Sequence, residues 1–221
     1  MARIWSPNIS RAHLVLAIDA NAVRSVRDIT TPLAIDITGK SLVRSSDISG
    51  SELTSNIKSL IFTSASNSMI TVNVNEMLSF PITIEFFAKI ATLEDVAFVS
   101  FAGFSVLSYD SGIYVADNIG NFSGVSGVRV SDMGLLNSWH QYVFVIGADI
   151  SQCEVYIDGI KPVQDRGLPE IINISNKFII GADNNASKFA DMHLANFKLY
   201  NKIMSDEEIF ENYNALKNLY Q

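Results

Sequence analysis

The stretch Cys153-Glu-Val-Tyr-Ile-Asp-Gly-Ile-Lys-Pro162 decides the fold of this chain. Cys153, Val155 and Ile157 alternate with polar or amphipathic neighbours, the period of a half-buried strand. Asp158-Gly159 then supplies two residues that tolerate positive φ, which a type I′ turn between antiparallel strands demands. The stretch therefore predicts a β-hairpin and an antiparallel sheet.

The same pattern recurs on both sides of it. Upstream lie Leu14-Val-Leu-Ala-Ile18, Ser59-Leu-Ile-Phe62, Met69-Ile-Thr-Val-Asn-Val74, Ile82-Thr-Ile-Glu-Phe-Phe87 and Val96-Ala-Phe-Val-Ser-Phe101. They are followed by Gly103-Phe-Ser-Val-Leu107, Gly112-Ile-Tyr-Val115, Gly127-Val-Arg-Val130 and Gln141-Tyr-Val-Phe-Val-Ile146. Downstream are Lys177-Phe-Ile-Ile-Gly181 and Met192-His-Leu-Ala-Asn-Phe-Lys-Leu-Tyr200. β-Branched and aromatic residues dominate because they fit a pleated, half-buried surface. Asp110-Ser-Gly112, Asn118-Ile-Gly120 and Asp183-Asn-Asn185 punctuate the run as turns. Many short strands at such spacing predict an all-β sandwich or barrel rather than alternating strands and helices.

One helix is expected at the end of the chain. Ser205 and Glu208 have the spacing of a capping box, and Asp206 and Glu207 favour the positive end of the helix dipole. Ile209, Phe210, Tyr213 and Leu216 are expected on one apolar face packed on the sandwich. Residues 20–58 read as surface loops around one or two edge strands. The expected organisation is a single domain, 1–221, with an arm at 1–13, a sandwich at 14–203 and an amphipathic helix at 205–219.

Composition narrows the function. The chain has 221 residues, 48% hydrophobic and 18% charged, with mean hydropathy +0.22, which excludes a disordered protein. Net charge is −7, so coating a nucleic-acid duplex is not expected. Residues 1–50 hold six basic and four acidic groups, whereas residues 51–160 hold three and eleven. The lone Cys153 makes neither an internal disulfide nor a cysteine zinc site. Leu14–Ile18 is shorter than a signal-peptide core and far shorter than a membrane span. No export and no membrane insertion are expected, and the Asn-x-Ser triplets at Asn8, Asn121, Asn173 and Asn185 read as coincidence.

The chemistry-bearing residues are scattered. Glycosidases need two carboxylates flanking a bond from one face. Glu94-Asp95 point to opposite faces of any strand, and in the pair Glu154 and Asp158 the aspartate is claimed by the hairpin turn. His13, His140 and His193 show no metal-ligand spacing, and Cys153 reads as a buried small residue. No catalytic residue is assigned. Asp183, Asn184 and Asn185 with Asp191 form the oxygen-rich group best suited to calcium, the alternative being an ordinary Asx turn. Tyr109 and Tyr114, near Asp110 and Asn118, are either a sugar-stacking platform or a pair on a sheet surface. Candidate glycan contacts are thus Tyr109, Tyr114, Asn184 and Asn185. The basic N-terminal part, with Arg3, Arg11, Arg24 and Arg27 and with Trp5 as an apolar anchor, is the candidate docking end.

Several of these segments together resemble a known family. Ser138-Trp139-His140, Tyr156-Ile-Asp-Gly159, Ile180-Gly181 and Leu199-Tyr200 leading to Ser205-Asp-Glu-Glu-Ile209 are similar to the laminin-G-like, concanavalin A-like jelly-roll family. Leu14–Asn21, Asp36-Ile-Thr-Gly39 and Ser59–Phe62 resemble its opening strands, in a version similar to those of tailed-phage virion proteins. Two departures stand out. Phe86 follows Thr83-Ile-Glu85 where the family has Trp, and Thr63-Ser-Ala-Ser-Asn67 replaces an acidic loop that serves calcium in relatives.

The resemblance implies an all-β, two-sheet antiparallel jelly-roll β-sandwich with one C-terminal helix, and a non-enzymatic structural or interaction protein of a phage virion, such as a capsid decoration, neck or tail-associated component. Its partners would be other virion proteins or copies of itself, and it would need no cofactor. The alternatives are a carbohydrate-binding module for host glycans and a glycoside hydrolase.

Overall fold

In the computed structural model, the described residues are 13–20, 41–46, 49–53, 57–75, 77–109, 112–117, 127–131, 134–149, 152–163, 165–166 and 174–220. Among them, fifteen strands form two antiparallel sheets, and one α-helix closes the chain.

The first sheet contains β1 (Leu14–Asp19), β3 (Ser49–Leu53), β4 (Ile57–Phe62), β6 (Ile82–Ile90), β11 (Trp139–Ile146), β12 (Glu154–Ile157) and β15 (Met192–Tyr200). Its order is β12-β11-β6-β15-β4-β3, with β1 also paired to β15. The second contains β2 (Ser41–Ser46), β5 (Met69–Val74), β7 (Val96–Phe101), β8 (Phe104–Tyr109), β9 (Gly112–Asp117), β10 (Gly127–Ser131), β13 (Asp165–Arg166) and β14 (Lys177–Ile180). It runs β13-β10-β9-β8-β7-β14-β5-β2. The expected jelly-roll sandwich is therefore present. β2 and β3, from the stretch expected to hold edge strands, do lie at sheet edges.

The core lies between the sheets and follows from the alternation. Along β6, Ile82, Ile84, Phe86, Ala88 and Ile90 face the second sheet and are buried. Phe86 takes the position where the resembling family has Trp, and its ring lies 5.3 Å from Tyr142, 5.7 Å from Phe144 and 6.3 Å from Phe197. Such packed rings add to what burial of their area already contributes.

The opposite face of the first sheet is covered by α1 (Asp206–Tyr220). The capping box is made: Glu208 N donates to Ser205 Oγ at 3.3 Å and Ser205 N to Glu208 Oε2 at 3.1 Å. Met204 and Ile209 join one cluster across the first turn, as a hydrophobic staple does. Ile209 and Leu216 pack inward and Tyr213 is half-buried, as expected from spacing. Phe210 does not join them: it is 50% exposed, and the fully buried Asn212 takes its place on the inward face. Positions 209, 212, 213 and 216 follow the helical period, and Phe210 lies off that stripe.

The turn of the expected hairpin is present, but a single bridge, Ile157 to Ile160, stands in place of a second strand. Asp158 and Gly159 have φ of 53° and 76°, and Ile157 and Ile160 exchange backbone hydrogen bonds of 2.8 and 3.0 Å. The glycine is needed for a second reason. A Cβ on it would sit 3.1 Å from Phe210 Cδ2, so the turn is where α1 rests on the sheet.

Candidate functional site

Three groups of residues carry polar chemistry: the loops joining β14 to β15 and β4 to β5, the outer face of β8 and β9, and the layer beneath α1.

The loop between β14 and β15 is built around Asp183. Its carboxylate accepts from Ser187 N at 2.6 Å, Ser187 Oγ at 2.9 Å and Lys188 N at 2.9 Å. Burial works against its charged form, but these bonds and one from the Asn185 backbone outweigh it and hold the carboxyl below its usual range. The loop is fastened to its neighbours as well. Asn184 Nδ2 donates to the Phe101 carbonyl, Lys188 pairs with Asp95, and Ala97 N donates to Lys188 O at 3.2 Å. Gly181 starts the loop with φ of 87°, and Gly181 N donates to Phe98 O at 2.8 Å.

Asp191, at the far end of the loop, serves a different neighbour. Its Oδ1 accepts from Ser64 N at 2.7 Å and its Oδ2 from Ser64 Oγ at 2.8 Å. Ser64 opens the short 3₁₀ turn Ser64–Ser66, in the segment that replaces the acidic loop of calcium-binding relatives. A serine amide and hydroxyl thus occupy both oxygens of the aspartate. Asp183 and Asp191 each hold a separate loop, and among the described residues no group of three or more metal-ligating side chains is found.

The candidate platform residues lie on one face. Val106, Ile113 and Val115 join the inter-sheet core, which turns Leu107, Tyr109 and Tyr114 outward. Tyr114 pairs with Leu107, making Tyr109 its diagonal neighbour. Their surroundings differ: Tyr114 is 6% exposed within a cluster with Ala97, Leu107 and Ala116, whereas Tyr109 is 36% exposed. Val96 pairs with Ser108, so Tyr109 and Asp95, the latter paired with Lys188, stand at the ends of adjacent strands. Asp110 and Asn118 lie outside the described residues, as do Arg3, Trp5, Arg11, Arg24 and Arg27.

The layer beneath α1 was not legible as a cluster. Glu85 is fully buried on the outward side of β6, and four side chains converge on it. Its Oε1 accepts from Lys198 Nζ at 2.9 Å and Gln141 Nε2 at 3.0 Å, its Oε2 from Asn212 Nδ2 at 2.8 Å and the Tyr200 hydroxyl at 3.3 Å. The partners come from β15, β11 and α1, separated by up to 127 residues, so no local spacing reveals them. Desolvation and the Glu85 charge raise the Tyr200 phenol well above its ordinary value. At the rim of this layer, the Tyr156 hydroxyl lies 2.7 Å from Asp206 Oδ1 and 2.9 Å from Glu154 Oε2. Burial and these two carboxylates raise it too.

Of the carboxylates weighed for hydrolysis, Glu154, Asp158 and Asp95 are engaged in the structure, and Glu94 is exposed. Glu154 pairs with Lys161, and Asp158 accepts from Gln141 N at 2.9 Å and lies 2.7 Å from His140 Nδ1. Asp95 is paired with Lys188. His193, 3.3 Å from Ser59 Oγ, is lowered by burial and by the nearby Lys89.

Comparison with known proteins follows the same lines. The model of a family described as the concanavalin A-like lectin/glucanases superfamily matches residues 64–210, about two thirds of the chain. No curated protein matches the sequence significantly. Solved structures similar to the fold include the botulinum neurotoxin type G receptor-binding domain, with TM-score 0.66 and 15% identity over 92% of this chain and 51% of that one. A second is the binding domain of botulinum neurotoxin DC in complex with rat synaptotagmin II, at 0.66 and 14% over 92% and 52%. A third is the ligand-binding domain of botulinum neurotoxin serotype D in complex with N-acetylneuraminic acid, at 0.64 and 16% over 91% and 50%. The chain spans about half the length of each. At these identities the likeness is one of fold.

Proposed function

Since the chain belongs to the concanavalin A-like lectin/glucanase superfamily, we propose that it works on the lectin side of that division, as a non-enzymatic interaction domain. The observation that carries this is the engagement of Glu85, Glu154, Asp158 and Asp95 in ion pairs and hydrogen bonds. A glycosidase needs one carboxylate to protonate and another to attack or activate water, both poised at a cleft. Here these groups fix strands, a turn and a helix instead. The sandwich acts as a rigid scaffold for docking and display, and stable attachment of such a domain buries on the order of 1,200–2,000 Å².

The finer setting is the virion of a tailed phage, as a capsid decoration, neck or tail-associated component bound to other virion proteins or to itself. Its support is the resemblance of Leu14–Asn21 and Ser59–Phe62 to such proteins. Mass spectrometry and cryo-EM of purified particles test it: density at symmetric positions is expected. A chain found only as soluble protein outside the particles refutes it.

Glycan recognition is the second reading, favoured by Tyr109, 36% exposed at a strand end adjacent to the one that follows Asp95, and by the sialic-acid complex of one structural neighbour. A glycan array tests it, with a signal lost in Tyr109→Ala while the fold persists. No signal under conditions sensitive to millimolar binding refutes it.

A further inference from the structure

Beneath α1 an amine, an amide and a carboxylate are sealed together. Lys198 on β15 is 2% exposed, and Glu85 on β6 and Asn212 on α1 are both at 0%. Lys198 Nζ lies 2.9 Å from Glu85 Oε1, and Asn212 Nδ2 lies 2.8 Å from Glu85 Oε2. Both oxygens belong to one carboxyl group, which therefore holds the amine and the amide side by side. Apolar clusters flank this group and keep water out: Val143, Tyr200 and Ile209 belong to one, Phe87 and Leu216 to the other.

A lysine amine attacks a carbonyl carbon only when it is uncharged and held close to it. Glu85 meets the first condition by lying in contact with Nζ, since a proton moved from Nζ to Oε1 removes two charges from a site without water. Packing meets the second. Groups fixed in this way react as if at effective concentrations on the order of 10⁵–10⁸ M. Gln141 also touches the carboxylate, but at the oxygen already used by the amine. Asn212 is at the other oxygen, so a proton taken up on one side can be delivered on the other.

We propose that Lys198 and Asn212 join in an isopeptide bond, with Glu85 as the proton relay, so that α1 becomes covalently tied to the first sheet. Nζ gives one proton to Glu85, and its lone pair then attacks Asn212 Cγ while the carbonyl pair moves onto Oδ1. Glu85 passes its proton to Nδ2, the carbonyl re-forms, the Cγ–Nδ2 bond breaks and ammonia leaves. The second proton shed by Nζ returns to Glu85 and departs with the ammonia. One ammonium group and one primary amide thus become one secondary amide and one ammonium ion, and Glu85 ends as it began. The ion pair is the state before reaction. The step occurs once per chain at a buried site with no outside substrate, and it is independent of the virion and glycan readings.

Mass spectrometry of the folded full chain, kept for days at neutral pH, tests it. A loss of about 17 Da is expected, the mass of one ammonia. Trypsin cuts after Lys188, Lys202 and Lys217 but not after an acylated Lys198, so peptide 189–202 is expected to appear joined to 203–217. Glu85→Gln and Lys198→Arg are each expected to keep the full mass. The wild-type peptides decide the matter even where a variant does not fold. Separate, unmodified peptides from the folded wild-type chain would overturn the proposal. So would a loss of ammonia confined to peptide 203–217, as from a cyclised asparagine, or a link from Lys198 to Gln141.

Discussion

Glu85 and Lys198 form an ion pair of 2.9 Å with side-chain exposures of 0% and 2%, roofed by the C-terminal helix. Two charges out of water are tolerable only where geometry and further hydrogen bonds compensate, and Gln141, Tyr200 and Asn212 supply those bonds. Removing one partner strands the other. Lys198→Met is therefore expected to destabilise the fold by about 3–5 kcal/mol, and the double variant Glu85→Gln, Lys198→Met by clearly less than the sum of the single changes. Urea unfolding of the three variants measures both; additive losses would show that the residues are not coupled.

Alkaline pH attacks the same layer. Tyr200 and Tyr156 have phenol pKa values raised above the ordinary 10.0, in both cases chiefly by burial. Their contribution to stability is full below pH about 10 and is lost as the pH rises beyond it, because the unfolded phenol ionises first. The urea midpoint is expected to fall between pH 9 and 11, less steeply in Tyr200→Phe. A parallel fall in that variant would place the alkaline sensitivity elsewhere.

Glycine is required at two turns to different degrees. At Gly181, φ is 87° and an added Cβ would sit 2.3 Å from Phe62 Cδ1, deep in the core. At Gly159, φ is 76° but the nearest atom, 3.1 Å away, belongs to the half-exposed Phe210. Gly181→Ala is expected to cost about 3 kcal/mol or more, from strain plus overpacking, and Gly159→Ala about 1–2 kcal/mol. Thermal unfolding ranks them, and an inverted order would contradict the packing described.

Acid loosens the Asp183 loop. The folded carboxyl lies below its ordinary 3.8, so its stabilisation is present above that value and is lost as pH falls through the lower folded one. Hydrogen exchange at the Ser187 and Lys188 amides is expected to quicken in Asp183→Ala already at neutral pH. Calcium at millimolar concentration is expected to leave the thermal midpoint unmoved, because Ser64 already engages both oxygens of Asp191. A calcium-dependent rise lost in Asp191→Ala would reinstate a metal site.

Much of the fold was legible because its signals are local. Asp158-Gly159 specifies a turn by its own backbone preferences, Ser205 and Glu208 cap a helix three residues apart, and Met69–Val74 shows its buried face by alternation. The inward face of α1 was less so. Hydrophobicity puts Phe210 inside and Asn212 outside, whereas the buried Glu85 selects Asn212 as a donor and leaves Phe210 at the surface. That preference is set 127 residues away in sequence, where no periodicity records it. The Asx-rich loop shows the same limit: Asp183 and Asp191 suit a cation by type, and only the structure shows their oxygens turned to Ser187, Lys188 and Ser64.

The central claim is that this domain recognises rather than cleaves. Reducing-end release from a panel of β-glucans, followed over days at several protein concentrations, tests it most directly. The account predicts no release above the protein-free blank. Release proportional to protein concentration and abolished by Glu154→Gln would contradict it.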